Sequence, residues 1–145
     1  MFVDLDGFKP VNDCFGHGVG DMVLKEVAQR MRSIARKSDT VARVGGDEFL
    51  LLMEDAMSAA DVATLARRLT EALQQPFETD GQRIEVSASI GVAIYPEHGD
   101  RAKLIAHADA AMYAAKRSGA GGVVVYPDVL LCRLTDDQEL SNSPA

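Results

Sequence analysis

The segment Arg43-Val44-Gly45-Gly46-Asp47-Glu48-Phe49 constrains this chain more than any other. It lies between two apolar runs, Val41 to Val44 and Phe49 to Met53, and so reads as the tight turn of a β-hairpin. Two adjacent glycines give access to positive φ and leave room for another molecule to approach the backbone. A plain hairpin turn needs at most one carboxylate, yet Asp47 and Glu48 stand side by side here. Carboxylates are the hard oxygen donors that magnesium binds, so the pattern predicts a divalent cation and a phosphate at this bend.

With 145 residues the chain can form one domain with a full core and is too short for two comfortable ones. A formal charge of −7 argues against unspecific nucleic-acid binding, which needs a basic face. It also means that an anionic nucleotide would need cations supplied locally. Cys14 and Cys132 lack metal-ligand spacing and read as free thiols in a reducing cytoplasm. No apolar run reaches spanning length, and Met1-Phe2-Val3-Asp4 is not a signal peptide. The expectation is a cytoplasmic domain whose parent protein is free to be membrane-anchored.

Along the chain, Met1 to Val3 reads as the end of a buried strand, which suggests missing upstream sequence, and Asp4 to Pro10 as a loop. Asp21 is expected to cap a helix whose stripe is Val23, Val27, Met31 and Ile34. The hairpin strands come next. Ser58, with Asp61 three residues on, predicts the start of a second helix, striped by Val62, Leu65, Ala66, Leu69 and Leu73 and ended by Pro76. From Ile84 the period becomes two, and Ile84, Val86, Ala88, Ile90, Val92 and Ile94 are assigned to one face of a long strand. Asp100 is expected to cap a third helix with Leu104, Ile105, Ala108, Met112 and Ala115 inward, closing near Gly119. Val123 to Tyr126 makes a last strand, and polar residues 128–145 read as a disordered tail. This order predicts an α+β fold, an antiparallel-rich central sheet flanked by helices.

If the first strand lies beside the hairpin, Asp4 meets Asp47 and Glu48 at one end of the sheet. Carboxylates so close repel unless a cation lies among them, which favours metal binding by these three; Asp6 reads as a loop residue. The glycine-rich run from Asn12 to Asp21 leads into a helix N-terminus and suits an anion. The Asp21 carboxylate could also accept paired hydrogen bonds from guanine, with Asn12 beside it, whereas His17 reads as a structural hydrogen-bonder.

Asp4-Leu5-Asp6-x-Phe8-Lys9-x-x-Asn12-Asp13-x-x-Gly16-His17-x-x-Gly20-Asp21, followed by Arg43-x-Gly45-Gly46-Asp47-Glu48-Phe49, resembles the GGDEF family of diguanylate cyclases. Ser89-x-Gly91-Val92-Ala93 and Asp109-x-Ala111-Met112-Tyr113-x-Ala115-Lys116 are similar to its later part. The resemblance implies a palm-like nucleotide cyclase fold over residues 1–127, lacking the usual N-terminal helix. It implies condensation of two GTP into cyclic di-GMP and pyrophosphate across a homodimer, with no nucleic acid involved. It implies Asp47 and Glu48 as catalytic residues, and Mg²⁺, or Mn²⁺ in its place, held by Asp4, the Leu5 carbonyl, Asp47 and Glu48. Asn12 and Asp21 would then contact guanine, while N–H groups near Phe8 and Lys9, with the Lys116 side chain, would hold phosphates. Arg36 and Asp39 match the family's RxxD product-inhibition site, to which Arg68 from another subunit would add. Sensory or other signalling domains are expected elsewhere in the parent.

Two departures stand against that pattern. The segment that usually precedes the first strand is missing, which predicts lower stability or poorer dimer alignment. Ala120 stands where the family often has a phosphate-binding arginine, which predicts weaker GTP binding. The alternative function is a silent module that binds GTP or cyclic di-GMP for regulation. Another palm-type nucleotidyl transferase is a third reading, and it would lack the guanine-reading pair.

Overall fold

A computed structural model describes residues 1–55, 58–119 and 121–126. In chain order these form β1 (Phe2–Asp6), α1 (Phe8–Phe15), α2 (His17–Ile34), β2 (Thr40–Gly45), β3 (Glu48–Leu52), α3 (Ala59–Gln74), β4 (Phe77–Thr79), β5 (Gln82–Ile84), β6 (Ser87–Val92), α4 (Arg101–Arg117) and β7 (Val123–Val125). The central sheet has the order β2-β3-β1-β6-β7, antiparallel except for the β6–β7 pair. Strands β4 and β5 form a separate small hairpin. The predicted α+β architecture is the one observed.

Strand periodicity sorts the sheet residues onto two faces. Val3, Leu5, Phe49, Leu51, Ile90 and Val92 are all buried, in one cluster with Val23, Val27 and Met31 of α2 and Val62, Ala66 and Leu69 of α3. The opposite face carries Phe2, which packs against Ala108 and Met112 of α4. Helix α4 comes close because β6 has a glycine there. A Cβ on Gly91 would run into the backbone of Ala108 and Met112, and backbone cannot step aside.

Several local expectations are corrected. Strand β1 does not end at Val3 but continues through Asp6, because Asp4, Leu5 and Asp6 all pair with β6. Beyond it the chain enters the short helix α1 rather than a loop. Pro10 sits in its first turn, where a missing N–H costs nothing. Asp21 is not a cap: α2 begins four residues earlier, behind Gly16 at φ 87°, and Asp21 lies within its exposed part. The long strand from Ile84 is broken at Glu85 and Val86, and β5 turns back onto β4 through Asp80 and Gly81, both at positive φ. The alternation hid this break, since Ile84 and Val86 are both buried. Ile105 is 52% exposed rather than inward.

The other two predicted side-chain caps, Ser58 and Asp100, are present. Ser58 Oγ accepts from the Asp61 N–H at 3.1 Å, and Asp100 Oδ1 accepts from the Lys103 N–H at 3.0 Å. The hairpin also forms as expected, with an irregular register between Arg43 and Gly45. Ala120, Cys132 and the tail 128–145 lie outside the described residues. No helix among those described is long and apolar enough to cross a membrane.

Candidate active site

Strand β1 is the centre of the sheet, and its last three residues organise one end of it. Leu5 points into the core and is 1% exposed. By alternation Asp4 and Asp6 share the other face. Register places Asp4 opposite Glu48 on one side and opposite Ser89 on the other. The Leu5 N–H donates to the Asp47 carbonyl at 3.2 Å, which fixes the start of β3 against β1. The acidic bend and the first strand therefore meet, as metal binding by their carboxylates requires.

Helix α4 sends a cation into this end of the sheet. Lys116 Nζ lies 3.4 Å from Asp4 Oδ1 and 3.3 Å from Asp6 Oδ1. It is also 3.4 Å from the Leu5 carbonyl oxygen. Asp6 is no idle loop residue. It accepts hydrogen bonds from Ser87 Oγ, Ser89 Oγ and the Gly121 N–H, each at 2.9 Å. Residue-by-residue reading missed this network because its members are contributed by β6 and the turn before β7.

Asp4 is less well provided for. Its Oδ1 is buried and has no hydrogen bond of acceptable geometry, with the Lys116 ammonium nearby as an ion-pair partner only. Burial raises its pKa from 3.8 to about 6; the Asp47 charge adds to the rise, Lys116 opposes it, and Glu48 contributes last. Desolvation works to lower Lys116, but the adjoining Asp4 and Asp6 carboxylates outweigh it and hold the ammonium above its ordinary value.

Among the described residues no three His, Cys, Asp or Glu side chains are gathered into an all-protein metal cage. Magnesium does not demand one, since it is usually held by one or two carboxylates together with substrate phosphates and water. The orphaned Asp4 oxygen, the Leu5 carbonyl at the same spot and the adjoining acidic bend suit an ion of that kind. Above the bend the surface is open. A Cβ on Gly45 or Gly46 would meet nothing within 4 Å, and Gly46 takes φ 47° while its carbonyl accepts from Arg43 Nε at 2.8 Å.

The other candidates fall into two groups. Helix α1 opens next to the acids, with Gly7 at φ 74° in the cap position and no side chain bonded to the first turn. The N–H groups of Phe8 and Lys9 belong to that turn and have no acceptor within the helix. Phe8 is buried and Lys9 exposed. Asn12 lies against Gly20, where any Cβ would displace its Oδ1, so it is brought beside the backbone that leads into Asp21. Arg36 and Asp39 form a separate turn after α2. The Arg36 N–H donates to Asp39 Oδ2 at 2.8 Å, and its guanidinium is 3.5 Å from Asp39 Oδ1. Arg68 lies on the exposed side of α3.

The family model described as "Diguanylate cyclase, GGDEF domain" matches residues 1–121. The chain belongs to the GGDEF family. This GGDEF domain is 52% identical over 123 residues to the bifunctional diguanylate cyclase/cyclic di-GMP phosphodiesterase MucR of Pseudomonas aeruginosa, covering 84% of the chain and 18% of MucR. It superposes on the GGDEF domain of YfiN or TpbB from Pseudomonas aeruginosa with a TM-score of 0.82 at 44% identity, covering 86% of the chain and 78% of that structure. The GGDEF domain of DgcB from Caulobacter crescentus, solved in complex with c-di-GMP, gives a TM-score of 0.77 at 29% identity, with 86% and 74% covered. Other relatives are named cyclic di-GMP phosphodiesterases. The chain spans 18% of the length of MucR and 28% of that of the diguanylate cyclase TpbB.

Proposed function

We propose that this GGDEF domain is a diguanylate cyclase that joins two GTP molecules into cyclic di-GMP and releases two pyrophosphates. The observation that carries the reading is the meeting of Asp4, Asp47 and Glu48 at one end of the sheet, beside an open diglycine bend. Asp4, the Leu5 carbonyl, Asp47 and Glu48 would hold Mg²⁺, or Mn²⁺ in its place. The bound ion would supply charge neutralisation at the phosphates and a lowered pKa for the attacking 3′ hydroxyl.

The chain's own groups do the rest. The free N–H groups of Phe8 and Lys9 at the start of α1 face an anion with the positive end of the helix dipole. Lys116 adds a mobile point charge for the terminal phosphates. Asn12 and Asp21 read guanine, since a carboxylate pairs with its two adjacent donors and adenine offers no such pair. Each domain holds one GTP, so two domains must face each other and catalysis requires a homodimer. Arg36 and Asp39, with Arg68 of a second subunit, bind cyclic di-GMP and restrain the enzyme; the guanidinium fork suits phosphate or a guanine edge. The domain works in the cytoplasm under signalling domains of a longer protein, with residues 1–127 as the cyclase unit.

Incubation with GTP and Mg²⁺ tests this directly. Cyclic di-GMP should form in the wild type, and Glu48→Ala should lower the rate by at least about a hundredfold, the scale of losing a group that stabilises transition-state charge. Nucleotide binding without turnover in the wild type would assign the chain instead to regulation. Relatives with phosphodiesterase in their names favour that second reading.

A further inference from the structure

Lys116 stands where the proposed ion would have to be. Its Nζ is 3.3–3.4 Å from three oxygens, Asp4 Oδ1, Asp6 Oδ1 and the Leu5 carbonyl. No one of these contacts is short, so the ammonium acts as a point charge shared among them rather than as a donor committed to one. Two of the three oxygens, on Asp4 and Leu5, belong to the donor set assigned above to the metal. An ammonium so placed opposes a divalent cation on those oxygens, because two positive charges repel each other at this range.

Resting on the cyclase reading, we infer that Lys116 is an internal counter-cation that fills the metal position until nucleotide arrives and must be displaced for the metal to enter. Asp6 is its anchor. That carboxylate is outside the metal donor set and is fixed by Ser87, Ser89 and Gly121, so it stays in place when Lys116 leaves Asp4. Lys116 is in the last turn of α4 and its side chain is 31% exposed, which leaves it space to swing outward. A nucleotide phosphate gives it an alternative anion. Metal and nucleotide therefore enter together: the metal alone must expel the lysine, whereas a phosphate draws it off. Until then the same lysine keeps Asp4 and Asp6 from facing each other unscreened.

The test uses metal alone. Free Mn²⁺ is measured by electron paramagnetic resonance against wild type and Lys116→Met, without nucleotide. Removing the competing charge should tighten Mn²⁺ binding about tenfold or more, the order expected for one charge at this distance in a partly screened site. Lys116→Arg should remain as weak as wild type. Unchanged or weaker binding in Lys116→Met would overturn the inference. A second measurement needs no variant. The Lys116 Cε resonance of the wild-type protein should shift when Mg²⁺ is added without nucleotide, in step with binding, and an invariant resonance at Mg²⁺ saturation would contradict displacement. Neither readout depends on turnover. Cyclic di-GMP formation with unaltered Mn²⁺ affinity would sink this inference alone, and tightened affinity without product would sink the cyclase reading alone.

Discussion

Asp4 combines burial, a negative neighbour and an unbonded oxygen. Its folded pKa of about 6 lies above the ordinary 3.8, so the folded state holds the proton more tightly than the unfolded chain does. Linkage then requires stability to fall as pH rises from about 4 to about 6. In chelator, urea denaturation across that window should show this decline, and Asp4→Asn should flatten it. A slope that persists in Asp4→Asn would place the titration elsewhere. Asp47 and Glu48 were legible in sequence because adjacent acids beside two glycines have no ordinary structural use, and Asp4 followed from placing the first strand beside the hairpin, the pairing observed. Asp6 was not legible. Its partners Ser87, Ser89 and Gly121 are 81, 83 and 115 residues away, and only the sheet order brings them to it.

Among the secondary-structure elements, α2 and α3 are joined by one side chain that carried no sequence signal. Arg30 donates to the carbonyls of Ala72, Gln75 and Pro76 at 2.7–3.0 Å. Its guanidinium also lies 3.8 Å from the centre of the Phe77 ring and pairs with Glu26 at 3.3 Å. It thus satisfies acceptors at the C-terminus of α3 that the helix itself cannot. Arg30→Ala should destabilise the fold by about 2–3 kcal/mol, given several charge-assisted bonds lost at once. Arg30→Lys should recover only part, since an ammonium lacks the planar fork. Urea titration of the two variants measures this, and a loss in Arg30→Ala under about 0.5 kcal/mol, the usual scale of a surface change, would contradict the clamp. The long amphipathic helices and the hairpin were legible from periodicity. Helix α1 was hidden by Pro10, which is harmless in a first turn, and by Gly7 in the cap position. The β4–β5 hairpin was hidden because the buried alternation runs on through Glu85 and Val86, where β5 ends and before β6 begins.

At the scale of the whole molecule, the sheet order β2-β3-β1-β6-β7 does the assembling. It lays the hairpin and β6 on either side of β1, so that residues far apart in sequence share one end of the sheet. Helices α2 and α3 seal one face, leaving α4 on the other to deliver Lys116. The apolar period of each element already implied a sheet with helices packed on it. Strand neighbours carry no such local signal, and the site depends on them. The most direct measurement is a crystal structure of the wild-type domain with Mn²⁺ and a non-hydrolysable GTP analogue, read by manganese anomalous scattering. An anomalous peak should lie among Asp4, the Leu5 carbonyl and Glu48, with the nucleotide phosphates against it. Bound nucleotide with its manganese away from Asp4 and Glu48 would contradict the account.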